Sequence, residues 1–425
     1  MEVSKLDAAA TAVAGGPSVP DDIIFDVLSR LSAKTLCRFR CVCKRWRALL
    51  SDPAFIAAQS SRAGPLVAAM FAASPSRVCE YDLRVMAPYG GGGEVLRSFR
   101  VSSMNLANTR FDVICVDQEW DGATIIDPAS GRMLAAGAMP VDHGPAVSAT
   151  TQVSDISFGR AAPSGAYKLV RFLESVAPRP GGGRWHRQKL CEVATIEING
   201  GNGDAPPPPV TWRRRKAAPF LTSFNSDRKA SVNGLLYFLH REFADLDDRE
   251  PLRRWTRGLD LIAVFDLESE TWKKAIDWPA MEEEEEDDGT PCVVTLAELK
   301  GALIMLHRKL QPRGSSDGCF ATVWRLADHR RSVWVKQYAI QMPMNWYLTM
   351  APLEVLGDGR VLLLSSLREE VEDERLRRGY RYKYRYVLQF YEPSTGVFAD
   401  LMEMPEGFRS TMAVYTGSLL SSLAA

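Results

Sequence analysis

The sequence lacks the charge excess and the long apolar runs that mark several large classes of protein. Lysine and arginine together number 52, and so do aspartate and glutamate, so the net charge at pH 7 is zero. Proteins that bind a nucleic-acid backbone or an anionic membrane usually carry an excess of basic residues. No run approaches the roughly 18 apolar residues that a membrane-spanning helix needs. The sequence therefore predicts neither a nucleic-acid partner nor a membrane partner.

Cysteine and histidine are also scarce. Eight cysteines in 425 residues are too few for a disulfide framework, and no Asn-x-Ser/Thr acceptor is present. The five histidines make no zinc spacing with the cysteines, so no metal and no cofactor is expected. Cys37, Cys41 and Cys43 cluster without a fourth ligand, which predicts small apolar fillers. We expect a reducing compartment, the cytoplasm or the nucleus.

Residues 1–17 and 18–60 differ sharply in pattern. The first segment lacks the basic start and long aliphatic stretch of a signal peptide, which predicts a disordered leader. In the second segment Ile24, Val27, Leu28 and Leu31 fall on one apolar stripe at helical spacing. Pro20 suits the first position of a helix, and Ser32 and Asp52 are residues that cap later helices. The sequence predicts three or four short helices over residues 18–60.

These helices are too short to be stable singly, and a unit of about 40 residues usually needs a partner. Their apolar positions are also more numerous than so small a core can bury. A helical module that leaves apolar surface exposed is typically a docking module.

The residues of this module resemble an F-box over the whole expected length. The resemblance is carried by Val19 to Ile24, Val27 to Leu31, Leu36 to Trp46 and Asp52 to Phe55. Ser32 stands where many family members have a second proline, and Val19 replaces the usual leucine. The resemblance implies docking to the Skp-type adaptor of an SCF ubiquitin ligase and, through it, to a cullin scaffold.

The resemblance also implies which side chains would meet the adaptor: Pro20, Ile24, Leu28, Leu31, Leu36, Val42 and Trp46. For Ile24, Val42 and Trp46, packing inside the module is an equally good interpretation.

A repeat of two turns organises the rest of the chain. Segments starting at Ile125, Val264 and Phe390 each have two apolar residues, an acid, and a hydroxyl residue three positions after the acid. This pattern predicts a strand, a tight turn and a return strand. Gly234 and Gly359, like the glycine at position 301, each head an apolar strand. The repeats predict a β-propeller over residues 65–418, with about five to seven blades and six as the best fit.

Three stretches, 231–237, 265–272 and 353–364, resemble the F-box-associated, kelch-like region common in plant F-box proteins. The paired glycines of a full kelch repeat are missing. The expected architecture is thus an α+β multidomain chain, with a small helical module followed by an all-β propeller. The resemblance implies that loops of the propeller bind a protein target, which the sequence does not identify.

Two alternatives belong to other classes. A helix-turn-helix DNA binder would use Lys44 to Arg47, but residues 1–60 hold eight basic and six acidic side chains, a weak basic excess. A carbohydrate-binding or enzymatic propeller with a docking appendage would need acids or histidines that converge at the propeller mouth. Gly314 to Gly318 matches a nucleophile elbow but lacks its strand and helix. Arg213 to Lys216 could serve as a nuclear address, but we prefer to interpret it as a solvated strand end. The sequence favours an adaptor that is not an enzyme.

Overall fold

The computed structural model describes two compact units. The described residues are 19–74, 80–89, 93–107, 110–118, 122–137, 150–178, 185–197, 210–219, 228–239, 261–279, 292–309, 319–342, 347–372 and 380–420. One unit contains the chain up to Gly64 together with the segment from Ser418, and the other is Pro65–Gly417. The leader predicted for residues 1–17 and the Gly314 to Gly318 segment lie outside the described residues.

Four helices form the first unit: α1 (Asp21–Ser29), α2 (Ala33–Phe39), α3 (Lys44–Leu49) and α4 (Pro53–Ala63). Ser32 caps α2, because its hydroxyl accepts the Thr35 backbone N–H. The Asp52 carboxylate accepts the Ala54 N–H at 2.7 Å and thereby caps α4. Pro20 precedes α1 as its N-cap residue and does not occupy the first helical position. The predicted helices and two of their caps are confirmed.

Aromatic and aliphatic side chains fill the interior of this helical unit. Phe55 is fully buried, and Phe25 packs edge-on against it with ring centroids 5.2 Å apart. Leu28, Leu36 and Leu50 are also buried. None of the helices described here, in either unit, is long and apolar enough to cross a membrane.

The second unit consists of strands. In chain order they are β1 (Leu66–Ala72), β2 (Tyr81–Ala87), β3 (Glu94–Val101), β4 (Asn105–Leu106), β5 (Arg110–Phe111), β6 (Ile114–Asp117), β7 (Gly122–Ile126), β8 (Met133–Gly137), β9 (Thr150–Arg160), β10 (Tyr167–Pro178), β11 (Trp185–Ile196), β12 (Trp212–Arg215), β13 (Lys229–Val232), β14 (Leu235–Leu239), β15 (Leu261–Asp266), β16 (Thr271–Trp272), β17 (Ile276–Asp277), β18 (Cys292–Leu299), β19 (Ala302–Lys309), β20 (Cys319–Asp328), β21 (Val333–Met342), β22 (Tyr347–Val355), β23 (Val361–Glu372), β24 (Tyr380–Glu392), β25 (Val397–Glu403) and β26 (Phe408–Tyr415).

These strands make six sheets, which are the six blades of a β-propeller. Strands β4 and β6–β8 form blade 2, β9–β12 blade 3, β13–β17 blade 4, β18–β21 blade 5 and β22–β25 blade 6. Blade 1 has the order β3-β2-β1-β26-β5, so the last strand of the chain completes the first blade. Leu66 at its start lies opposite Tyr415 at its end. The predicted fold class is confirmed, with six blades.

The repeated acid turn joins the third strand of a blade to its fourth. The Asp127 carboxylate accepts the Ala129 N–H at 2.9 Å, and Asp266 accepts the Glu268 N–H at 2.8 Å. Two of the three turns close with a glycine at positive φ, and the third has Glu270 there with φ of 53°. A side chain is strained in this conformation, so something else must hold Glu270 in place.

The repeated glycine joins the first strand to the second. Asn233 and Gly234 both have positive φ (48° and 81°), which is the two-residue hairpin turn that matches the twist of the strands. A Cβ on Gly234 would lie 2.8 Å from the backbone nitrogen of Ala162, so this position also excludes a side chain by space. Lys300 and Gly301 repeat the same turn.

Because the strands of each blade alternate in direction, the connections fall on two faces of the ring. The turns between strands 1 and 2 and between strands 3 and 4 lie on one face, here called the turn face. Connections between strands 2 and 3, and from one blade to the next, start and end on the opposite face, here called the loop face. Strands β14 and β17 end on the loop face, and strands β15 and β18 begin there.

Apolar side chains fill the spaces between neighbouring blades. Phe172 of blade 3 packs against Phe238 of blade 4 with ring centroids 5.3 Å apart, and Trp272 closes this cluster. Cys191 is buried in the same cluster, and burial raises the pKa of its thiol to about 12. Such a thiol behaves as a small apolar filler.

Candidate docking surface on the helical module

Apolar side chains stand exposed on the helical module. Val19, Ile23, Val27 and Val42 are each between 50% and 61% exposed. Ile23 and Val27 are four residues apart on α1 and therefore share one face of that helix. We call these four residues the apolar surface. Several exposed apolar side chains on so small a module are typical of an interaction site.

Helix α1 is apolar on two sides. Leu28 is buried and Ile24 is half-buried, whereas Ile23 and Val27 face away from the interior. Helical spacing predicts one stripe for Val27, Ile24 and Leu28, and this prediction is wrong for Val27. A signal was present, since Val19, Ile23 and Val27 follow one another at intervals of four residues.

The residues predicted to meet an adaptor fall into three groups. Pro20 and Val42 are exposed, so their side chains are available to a partner. Ile24, Leu31 and Trp46 are half-buried, and Trp46 packs on Phe39 with ring centroids 5.4 Å apart. Leu28 and Leu36 are buried, so in this conformation their side chains belong to the interior. Contact of any of the seven with an adaptor stays a prediction.

The three cysteines of the module are not fillers. Cys37, Cys41 and Cys43 are exposed free thiols. The sulfur of Cys43 lies 3.4 Å from the Trp46 backbone nitrogen, where it accepts the N–H at the start of α3. The prediction of small apolar fillers is therefore wrong for all three, and for Cys43 the reason is its cap position, which keeps the side chain at the helix end.

Ion pairs hold α1 against the neighbouring helices beside the apolar surface. Asp26 accepts hydrogen bonds from Arg62 of α4 at 2.8 Å and from Arg30 at 2.9 Å. These hydrogen bonds, first from Arg62 and then from Arg30, lower the pKa of Asp26. Asp21 pairs with Arg45 of α3. These ion pairs therefore link α1 to α3 and to α4.

In the propeller, polar contacts link neighbouring blades on the turn face. Arg110 on β5 contacts Glu298 at 2.8 Å, donates to the Leu353 carbonyl at 3.1 Å, and pairs with Glu354. It therefore ties the first strands of blades 5 and 6 to blade 1. Asn233 donates to the Gly301 carbonyl at 2.8 Å and joins blade 4 to blade 5. These contacts hold neighbouring blades together on the turn face.

Charged clusters inside the propeller are internal ion pairs. The Glu270 carboxylate accepts hydrogen bonds from Lys168 at 2.9 Å, Arg213 at 2.5 Å and Arg215 at 2.7 Å. Burial by itself would raise the pKa of Glu270, but the hydrogen bonds from Arg213, Lys168 and Arg215 outweigh it and lower the pKa to about 2. These cations explain how a glutamate is held at positive φ.

Arg213 and Arg215 lie on β12 and are only about one-third exposed (36% and 33%), so they are not the solvated strand end that the sequence predicted. The next arginine of that strand, Arg214, pairs with Glu192 at 3.3 Å, and Glu192 also holds Arg171. Arg213 and Arg215 thus join blade 3 to Glu270 of blade 4, whereas Arg214 and Lys216 are exposed, as the sequence predicted for this strand end.

The propeller offers few groups for chemistry among the residues that the structure describes. A small pocket lies among β9, β13 and β14, beside Ala107 of blade 2, and Lys229 is its one charged lining residue. The Lys229 ammonium donates to the Ile156 carbonyl at 2.8 Å. No three His, Cys, Asp or Glu side chains within the described ranges come together as a metal site.

Comparison with known proteins gives the helical module a family. Residues 17–57 match the F-box domain. F-box only protein 12 of Arabidopsis thaliana is 53% identical over 38 residues, 9% of this chain and 9% of that protein. An F-box/kelch-repeat protein of the same plant is 41% identical over 46 residues, 11% of this chain and 12% of that protein. The chain thus matches only about a tenth of the length of these relatives, within the helical module.

Solved structures resemble the β region only distantly. The rhamnogalacturonan lyase YesW is 12% identical, with 79% of this chain and 64% of that chain covered, at a TM-score of 0.26. A TM-score this low carries no argument about function.

Proposed function

Because residues 17–57 are an F-box domain and a six-bladed propeller follows them, we propose that the chain is the target-binding subunit of an SCF-type ubiquitin ligase. The observation that carries this proposal is that the apolar surface lies on the domain itself, at Val19, Ile23, Val27 and Val42. The proposal rests on the domain and on this surface, since the relatives match nothing beyond the module.

In this role the apolar surface docks a Skp-type adaptor, which connects the chain to a cullin scaffold. Complete burial of a valine or isoleucine side chain contributes about 1.5–3 kcal/mol. A few such anchors usually supply most of the binding energy of an interface. Pro20 and the half-buried Ile24, Leu31 and Trp46 extend the predicted contact beyond the apolar surface.

The propeller presents its loop face to a protein target. The hydrogen-bonded turn face holds the ring in shape, whereas long connections begin and end on the loop face. Chemistry then belongs to other subunits, and this chain brings the target close to them for ubiquitin-dependent degradation. Such a ligase acts in the cytoplasm or the nucleus. Nothing in the described part of the propeller favours the carbohydrate-binding or enzymatic alternative over this role.

The test is co-purification of the full chain with a Skp-type adaptor. We expect the wild-type chain to retain the adaptor and the Ile23→Asp, Val27→Asp double variant to lose it, because two charges would have to be buried at the interface. Val397→Asp is the matched control, since Val397 is 57% exposed but lies on β25 of the propeller.

The proposal is wrong if the wild-type chain, folded by circular dichroism, retains no adaptor. It also fails if the double variant retains as much adaptor as the Val397→Asp control.

A further inference from the structure

Positive charge is concentrated on two helices of the module. Residues 19–64 hold eight basic and four acidic side chains, and the two signs are separated along the chain. Residues 33–49, which cover α2, α3 and the turn between them, contain six of the basic side chains and no acidic one. The chain as a whole has no net charge, so this concentration is local. We call these six residues the basic segment: Lys34, Arg38, Arg40, Lys44, Arg45 and Arg47.

Three members of the basic segment have no partner within the described part of the chain. Arg38, Lys44 and Arg47 are exposed and make no ion pair or side-chain hydrogen bond there. In contrast, Arg45 pairs with Asp21, and Arg40 donates to the Ser51 hydroxyl at 2.9 Å. The three exposed cations are therefore available to a group outside the chain.

Helix stability explains two of these three cations. Arg38 and Arg47 lie in the last turns of α2 and α3, where a cation interacts favourably with the carbonyl end of the helix. Lys44 is the first residue of α3, at the end where the backbone N–H groups already carry partial positive charge. A cation there does not stabilise the helix, so the position of Lys44 needs another explanation.

The basic segment is continuous with the apolar surface. Val42 of the apolar surface is 61% exposed and lies two residues before Lys44, in the turn between α2 and α3. Arg45, the next residue after Lys44, pairs with Asp21 at the start of α1. Asp21 in turn lies between Val19 and Ile23 in the sequence. The cations thus border exposed apolar side chains, as the polar rim of an interface borders its apolar centre.

We propose that the adaptor docked on the apolar surface presents carboxylate side chains to Arg38, Lys44 and Arg47. This inference rests on the proposed function and deepens it, because it names the chemistry of the adaptor face that the module selects. Charges at the rim of an interface act mainly on the rate of association and on the choice of partner. The basic segment therefore speeds docking of an acidic adaptor and makes docking sensitive to salt.

A nucleic acid is the other partner that a concentration of positive charge attracts. Two features of the module oppose it. Asp21 and Asp22 at the start of α1 are exposed beside the basic segment and would repel phosphates. Val42 would also find no apolar counterpart on a phosphate backbone. An acidic protein face satisfies the cations and the apolar side chains together.

The test is the kinetics of full-chain binding to an immobilised Skp-type adaptor, measured by surface plasmon resonance. The association rate of the wild-type chain should fall at least fivefold as NaCl rises from about 50 to about 300 mM, because salt screens charges at the rim. Lys44→Glu with Arg47→Glu should lower this rate at least tenfold at low salt and change the dissociation rate much less.

The matched control is Arg330→Glu with Arg331→Glu. Both arginines are exposed in the turn between β20 and β21, so this variant has the same change of net charge on the turn face of the propeller. Its association rate should stay within twofold of the wild-type rate. Lys44→Glu alone should slow association at least threefold. It places an anion in the first turn of α3, which favours the helix, so an unfolded module would not explain the slower rate.

Equal association rates at low and high salt, or equal rates for the Lys44→Glu, Arg47→Glu variant and its control, would overturn the inference. Fluorescence anisotropy with a labelled DNA duplex tests the other partner. Saturable binding that the wild-type chain shows and this variant loses would assign the basic segment to nucleic acid instead. With the adaptor still bound, each of these results rejects the inference alone. If the folded wild-type chain binds no adaptor, the proposed function fails and this inference fails with it.

Discussion

The helical module and the propeller treat their apolar side chains differently. In the propeller, Phe238 and Phe265 are fully buried between neighbouring blades, and the ring is closed by β26 of the chain itself. In the module, Ile23 and Val27 stand half exposed on a helix that already buries Leu28 on its other side. The propeller completes its own core, whereas the module leaves apolar side chains exposed, and we propose that an adaptor covers them. The difference assigns stability to the one and docking to the other.

The largest effect should come from breaking a core between two blades. Phe238→Ala removes a fully buried ring that contacts Phe172 and Trp272. A substitution of this type costs about 3–5 kcal/mol, because lost burial and the remaining cavity add. We expect a clearly lower unfolding temperature of the propeller by calorimetry, with adaptor retention intact below that temperature. Loss of adaptor at low temperature would show that the two regions are not separate in their roles.

The second prediction tests whether the segment after the last propeller strand stabilises the helical module. Leu420 is fully buried and belongs to the same compact unit as the helices, although it follows the last propeller strand. Leu420→Ala should destabilise the helical module by about 2–5 kcal/mol. Limited proteolysis should then cleave within residues 19–64 sooner, and adaptor retention should fall.

Leu420→Met is the conservative control, because swaps that keep volume usually cost less than about 1.5 kcal/mol. If Leu420→Ala accelerates cleavage only in the propeller, the tail stabilises the ring and not the module.

The smallest effect concerns the charged cluster between blades 3 and 4. Glu270→Gln removes the charge that three cations share and should cost about 2 kcal/mol at pH 7. The pKa of Glu270 is lowered from 4.5 to about 2, so its stabilisation is complete above pH 4.5 and is lost as the pH falls toward 2. Urea titrations across this range should show a shallower loss for the variant. Parallel pH curves for the two proteins would contradict the assignment.

Local residues allowed much of the fold to be predicted. Ser32 and Asp52 predicted two helix caps, and the spacing of Gly234, Gly301 and Gly359 predicted the blades. Caps and tight turns can be predicted because they depend on residues close in the sequence. The closing pair of β1 with β26 could not be predicted, since strand partners far apart in the chain leave no local signal.

Side-chain direction was the harder part of the candidate site. Helical spacing alone placed Val27 on one apolar stripe with Leu28, but an α-helix with apolar residues on two sides has two possible buried faces. The positive φ of Glu270 and the contacts of Arg110 with blades 5 and 6 both depend on partners far along the chain. Periodicity in the sequence therefore cannot indicate them.

The central claim is that another protein covers the apolar surface of the module, and the exposed cysteines beside Val42 allow it to be tested directly. Cys41 and Cys43 flank this residue as free thiols, while Cys115 and Cys191 are buried and serve as unreactive internal standards. Alkylation by iodoacetamide, followed by mass spectrometry, should proceed readily at Cys41 and Cys43 in the free chain. It should slow at least fivefold in the adaptor complex. Equal alkylation rates with the adaptor bound would contradict the account.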